Sequence, residues 1–174
     1  MPLRPRRQRG VVALISLVLL AVMLVLGLAS VRLVRNQERM AGQSYDRALA
    51  FQAAEAALRE AETLIEQIRP MPGASGCTDF AAAGMTVHAC PAPAAGATPR
   101  WQAINTADWA AASTVGSGAL QLAPQYLVEY LGATFPCSPA PSDPMTCKRY
   151  RVTARISGSE GRAAVMVQSV YGTD

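Results

Sequence analysis

The sequence predicts an α+β protein: one long N-terminal α-helix, membrane-spanning in its first half, whose lower half packs on a small C-terminal antiparallel β-sheet head. Three observations predict it. Val11 to Val31 is a run of 21 residues without a charge. From Arg32 to Arg69 there is no proline, and apolar residues recur at steps of three and four. Late in the chain the period drops to two, with Tyr150, Val152, Ala154 and Ile156 alternating against Arg149, Arg151, Thr153 and Arg155.

Residues 1–10 form a short basic leader. Arg4, Arg6, Arg7 and Arg9 carry +4, equal to the formal net charge of the whole protein. Everything after Gly10 sums to zero, so the pI near 9.1 is no evidence for a nucleic-acid partner. Residues 11–31 follow as the transmembrane half of the helix: at about 1.5 Å per residue they span roughly 31 Å, the thickness of a bilayer core. Arginines cluster before the apolar run and the bulk of the chain follows it. The positive-inside rule therefore keeps the N-terminus cytoplasmic and exports the rest, giving a single pass through the inner membrane with a periplasmic head. On the apolar run alone, an unprocessed signal anchor fits as well. An ordinary signal peptide cleaved after Gly27-Leu28-Ala29, before Ser30, is a third reading, weakened because the run exceeds a usual h-region of about 7 to 15 residues.

Residues 32–69 continue the helix as an amphipathic half, interrupted only by Gly42. Strong helix formers fill it from Ala48 onward. Phe51, Ala54, Leu58, Ala61, Ile65 and Ile68 fall on one stripe, and Glu55, Arg59, Glu62 and Glu66 on another, with Glu55 and Arg59 ordered for an i,i+4 pair. The alanines at 48, 50, 53, 54, 56 and 57 allow a sheet or another helix to approach closely. Together the two halves predict one helix from about Val11 to Arg69, roughly 90 Å long. Pro70, Pro72 and Gly73 end it.

Residues 70–174 suffice for one small head. Positions 70–100 are rich in Pro, Ala and Gly and predict an irregular connection, with one short strand at Met85 to Ala89. Strands are predicted at Gln125 to Leu131 and Arg149 to Ser157. A turn at Gly158-Ser159-Glu160-Gly161 leads into a last strand over Arg162 to Tyr171, a terminal β-hairpin. Four cysteines, Cys77, Cys90, Cys137 and Cys147, all lie in the exported part, where oxidation is expected. They allow three pairings; short loop closure favours Cys77 with Cys90 and Cys137 with Cys147, each worth about 3 kcal/mol in the chain-entropy model. The competing reading is zinc, through Cys77, His88 and Cys90 with another cysteine. That spacing contains no tight ligand pair, so no metal is expected.

Catalytic chemistry finds little support. His88 is the single histidine, and there is no nucleophile context, phosphate loop or paired-carboxylate motif, so neither enzyme activity nor a cofactor is expected. Lys148, Arg149, Arg151 and Arg155 could touch DNA phosphates, but a solvated strand face is the better reading. Trp101 and Trp109 read as core residues.

Arg9-Gly10 before the apolar run, Glu38-Arg39-Met40-Ala41-Gly42, and Asp46-Arg47-Ala48-Leu49-Ala50-Phe51-Gln52-Ala53-Ala54-Glu55 continuing to Glu62 resemble the N-terminal region of PilX-type minor pilins. The resemblance covers about residues 7 to 66. It implies a pilin-like fold and makes residues 1–10 a prepilin leader. Prepilin peptidase would cut after Gly10, Val11 would be N-methylated, and the subunit would enter a type IV pilus through its N-terminal helix, among other minor pilins and the major pilin. The family acts in an initiating or tip complex, often with a large PilY-type adhesin, in adhesion and twitching motility, and pilins staple their C-terminal region much as Cys137 and Cys147 would. One departure matters. Most pilins carry Glu at the fifth mature residue, where it pairs with the terminal amine of a neighbouring subunit; here that residue is Ile15. A subunit with no pilin above it needs no such carboxylate, because there is no ammonium to neutralise in lipid. Two further readings stand beside this one: a minor pseudopilin of type II secretion, and an unprocessed membrane-anchored periplasmic binding module.

Overall fold

The structure, a computed structural model, describes residues 9–74, 76–102, 106–137, 145–158 and 162–173. Arg4, Arg6 and Arg7 of the leader, most of the proline-rich loop between Cys137 and Cys147, and the turn residues Ser159, Glu160 and Gly161 lie outside the described residues.

A single helix, α1, runs Arg9–Ile68 over 60 residues without a break. The chain divides into two compact units, the first ending at Ser44 and the second running from Tyr45 to the C-terminus. In the first, every large apolar residue from Val11 to Val34 is exposed around the full circumference of the helix. By length and composition this segment can cross a membrane. Around it, lipid would supply the apolar environment that folding does not.

In the second unit, residues 45–68 of α1 are one-sided. Ala50, Ala53, Ala54, Ala57, Leu58, Ala61 and Ile65 are buried, while Phe51, Gln52, Ala56 and Arg59 are exposed. The apolar stripe expected through Phe51 is therefore corrected. The buried face is mostly alanine, with Leu58 and Ile65 its larger side chains, and the small residues let the helix approach the sheet closely. The helix ends where Arg69 adopts a left-handed φ of 52°, its N–H reaching Ile65 O at 2.8 Å, directly before buried Pro70.

Six strands form one sheet: β1 (Thr78–Ala82), β2 (Met85–Pro91), β3 (Ala110–Ala111), β4 (Gln125–Pro136), β5 (Thr146–Ile156) and β6 (Val165–Thr173). Their order is β1-β2-β4-β5-β6, with β3 also paired to β4. The sheet is mostly antiparallel, as expected for the head, with one parallel pair, β2 and β4. The long crossover over 92–124 makes that pairing available, since parallel neighbours cannot be joined by a tight turn. The expected irregular stretch contains an unforeseen strand, β1. It joins β2 through Ala83 and Gly84, whose φ angles of 51° and 79° are those of a type I′ hairpin turn.

The alternation predicted for β5 places Tyr150, Val152, Ala154 and Ile156 in the core, all at most 4% exposed. They meet Val87, Ala89, Tyr126 and Val128 and the alanine face of α1. A second, smaller core of Cys90, Leu127 and Trp109, with Cys77 and Trp101 beside it, lies on the opposite face. The tryptophans are thus core residues, though not of the core beneath the helix.

Candidate functional site

Helix formation at Gly10 is undemanding. A Cβ built there would meet nothing within 4 Å, and its φ is not in the left-handed region. Nothing in the fold therefore requires glycine at this position. Val11 and Ile15 follow on the exposed helix surface, at 62% and 52% exposure. Glu38, Arg39, Met40, Ala41 and Gly42 are helical and exposed as well.

The motif residues of the second unit divide into two groups. Ala54 is fully buried against the sheet and Asp46 is a clasp: its Oδ2 accepts from Ala163 N at 2.6 Å, and Arg162 Nε lies 2.9 Å from its Oδ1. Phe51, Gln52 and Glu55, with Ala56 and Arg59, line a shallow groove on the outward face of the helix, and Arg47 is exposed. Phe51 is 48% exposed, a large aromatic on an otherwise polar face. Among the described residues no ion pair joins Glu55 to Arg59, so the expected i,i+4 pair is replaced by shared groove walls.

The acidic stripe has a role that periodicity did not announce. Glu60 Oε2 accepts from Ser113 N at 2.9 Å, Glu62 Oε1 from Ser169 Oγ at 2.7 Å, and Glu66 Oε2 from Tyr171 Oη at 2.9 Å. Three carboxylates thereby tie the helix to the crossover and to edge strand β6. The Tyr171 hydroxyl, and behind it Arg69, hold the Glu66 carboxyl below its usual value, and the same bond raises Tyr171. Tyr150 Oη donates to Pro70 O at 3.0 Å, and burial pushes its hydroxyl pKa strongly up. The sequence signal was present as acids spaced at helical intervals beside the apolar stripe, but their partners lie 53 to 107 positions away in the chain.

The expected solvated basic strand is also corrected. Arg149 reaches Pro136 O at 3.2 Å and lies 4.9 Å over the Phe135 ring. Arg151 Nε binds Oε2 of fully buried Glu129 at 2.8 Å. Arg155 donates twice to Gln125 Oε1 and stacks 3.8 Å over Trp109. Arg155 thus covers the second core at Trp109, Arg151 pairs with Glu129 and Arg149 lies against Phe135, so each of these arginines has a partner within the fold.

Cys77 is bonded to Cys90 and Cys137 to Cys147. The first bond joins residues 13 apart that close the open end of the β1–β2 hairpin, and the second joins residues 10 apart across the β4–β5 connection. His88 faces the first bond from β2, with Nδ1 2.6 Å from Asp79 Oδ1.

Comparison with known families agrees with this architecture at both ends of the chain. The PilX N-terminal model matches residues 9–59, and the C-terminal model of the type IV pilus assembly protein PilX matches residues 53–173. No curated protein and no solved structure matches significantly. With matches that together run from the start of the apolar helix to the last strand, the chain belongs to the PilX family of type IV pilus assembly proteins.

Proposed function

We propose that the chain is a minor pilin, a non-catalytic subunit of the initiating or tip complex of a type IV pilus that supports adhesion and twitching motility. The observation that carries this reading is an unbroken helix whose apolar part begins at a glycine that the fold does not need. A residue without a side chain suits a scissile bond that a peptidase must approach closely. Residues 1–10 are then the prepilin leader, prepilin peptidase cuts after Gly10, and Val11 becomes the N-methylated first residue. Before assembly the subunit sits in the inner membrane by residues 11–31, N-terminus cytoplasmic and head periplasmic. Afterwards it stands on the cell surface in the pilus.

Residues 11–31 supply an apolar face for packing with other minor pilins and the major pilin, and the Phe51 groove is a separate contact surface on the part of the helix that carries the head. Ile15 supports a terminal position, because this subunit has no carboxylate to offer the amine of a pilin above it. A PilY-type adhesin is the partner for such a tip. N-terminal mass analysis of the protein from the native cell tests the reading: an N-methylated Val11 is expected, and an intact Met1 or a start at Ser30 overturns it. Replacing Gly10 with Val is expected to trap full-length protein in the inner membrane and to empty sheared pili of it. Deletion of the chain should reduce surface pili; a block in exoprotein release with pili intact would instead identify a type II pseudopilin.

A further inference from the structure

Beside the Cys77–Cys90 bond, at the edge of the second core, the β1–β2 hairpin gathers polar side chains that packing alone does not explain. In this antiparallel pair Asp79 stands opposite His88, and one step towards the open end of the hairpin Cys77 stands by Cys90. Positions i and i+2 on each strand share a face, so Cys77 and Asp79 from β1 and His88 and Cys90 from β2 all project to the same side. Asp108 arrives from the short 3-10 turn Thr106–Asp108, its Oδ1 3.4 Å from Cys77 Sγ. One ligand atom each from Cys77, His88, Cys90 and Asp108 fall within 4.8 Å of one another.

The histidine is the most informative member. Asp79 can only accept at 2.6 Å, so His88 Nδ1 carries the proton, and in the neutral ring the lone pair is on Nε2. That Nε2 is buried and has no hydrogen-bond partner among the described residues. An imidazole held by a carboxylate through one nitrogen, with the other buried and unpartnered in a cluster with two cysteines and an aspartate, is arranged as metal-binding histidines are. Asp108 is also oriented from behind: Arg100 Nη1 lies 3.3 Å from its Oδ2 and Arg100 Nε donates to Pro91 O. Two thiolates and a carboxylate around a divalent ion leave one negative charge, which that guanidinium offsets.

We infer that Cys77, His88, Cys90 and Asp108 form a redox-gated Zn²⁺ site, closed to metal while the Cys77–Cys90 bond is intact and opened by its reduction. In the gating step a dithiol reductant transfers two electrons and two protons. The S–S bond breaks, two S–H bonds form, and the dithiol becomes a disulfide. Zn²⁺ then displaces both protons and takes the two sulfurs, which separate to the roughly 3.8 Å of a tetrahedral dithiolate, together with His88 Nε2 and an Asp108 oxygen. The hairpin stays closed in either state, by a covalent bond or by the ion. The fourth ligand is a carboxylate from the crossover, not the second cysteine pair, which closes a different connection.

The test uses the full chain in detergent micelles with Cys137 and Cys147 replaced by Ser, so that one cysteine pair remains. After treatment with a phosphine reductant and its anaerobic removal, Co²⁺ is titrated as a spectroscopic probe, and Zn²⁺ is then titrated against a chromophoric chelator. The expected result is one Co²⁺ per chain, with tetrahedral d–d bands and a thiolate charge-transfer band, only after reduction. Asp79→Asn, which removes no ligand but weakens the hold on His88, should weaken Zn²⁺ about 10- to 100-fold, and His88→Ala and Asp108→Ala should change the d–d bands. Circular dichroism follows the fold in each case. Binding with unchanged affinity in all three variants, binding retained by the urea-unfolded chain, or no Co²⁺ bound after reduction would each overturn the inference.

Discussion

At the scale of single residues, β4 buries a charge whose partner is only partly shielded, the Arg151 side chain being 26% exposed. Glu129 is fully buried in β4 and its carboxylate is neutralised by Arg151 from β5. Removing one member of a buried pair strands the other, at a cost of about 3–5 kcal/mol. Arg151→Ala is therefore expected to lower the stability of the head by that amount in denaturant titrations followed by tryptophan fluorescence. Replacing Glu129 with Leu in the same background should restore much of it, since the stranded charge is then gone. Glu66 and Tyr171 make a milder, pH-dependent contact. Because the folded carboxyl is held below its usual value of 4.5, its contribution is present above that pH and is lost as pH falls through the folded value. Tyr171→Phe removes the largest cause of the shift, so the Glu66 carboxyl should titrate closer to 4.5 by NMR and its share of the acid-side loss of stability should shrink. An unchanged titration would show that Thr173 and Arg69 hold it without the Tyr171 bond.

Among the elements, α1 and β5 were legible because their periods are long and uniform. Sixty residues of helix and the alternation from Tyr150 to Ile156 need no distant partner to be recognised. The β1–β2 hairpin was not legible, because Ala83 occupies a position at which Asn, Asp or Gly would have signalled the turn. An alanine with a φ of 51° is held there by the strands on either side. Replacing it with Gly relieves that conformation, so Ala83→Gly should stabilise the head by about 0.5–1 kcal/mol in the same titration. The faces of the helix were read only in part. Phe51 and Ala54 both fit a stripe by spacing, but contact with a flat sheet selects the methyl groups and leaves the ring outside.

On the scale of the whole molecule, one helix serves two environments. Residues 11–31 expose apolar side chains in every direction, as lipid or the packed helices of a fibre require, whereas residues 45–68 turn one face inward and keep a Phe51-lined groove on the other. A surface aromatic that contributes nothing to the core can be changed without unfolding the head. Phe51→Glu is expected to leave the free energy of unfolding, from denaturant titration, within about 0.5 kcal/mol of the parent. If the groove is a subunit contact, the same variant should be depleted from sheared pili although it is still processed at Gly10; normal incorporation would remove the groove from the assembly surface.

Taken alone, the sequence determined the membrane-spanning run, the continuous helix, the terminal strands and the family to which they belong, because each is a local pattern of charge, period or motif. Tertiary structure decided the rest: the parallel pairing of β2 with β4, the clasp from Asp46 to Arg162 and Ala163 ahead of β6, the carboxylates that hold β6, and the meeting of Asp108 with Cys77, His88 and Cys90. Those features join residues from different strands, loops and helix faces. Their proximity follows from which surfaces can be buried together, and no local stretch of the chain encodes that.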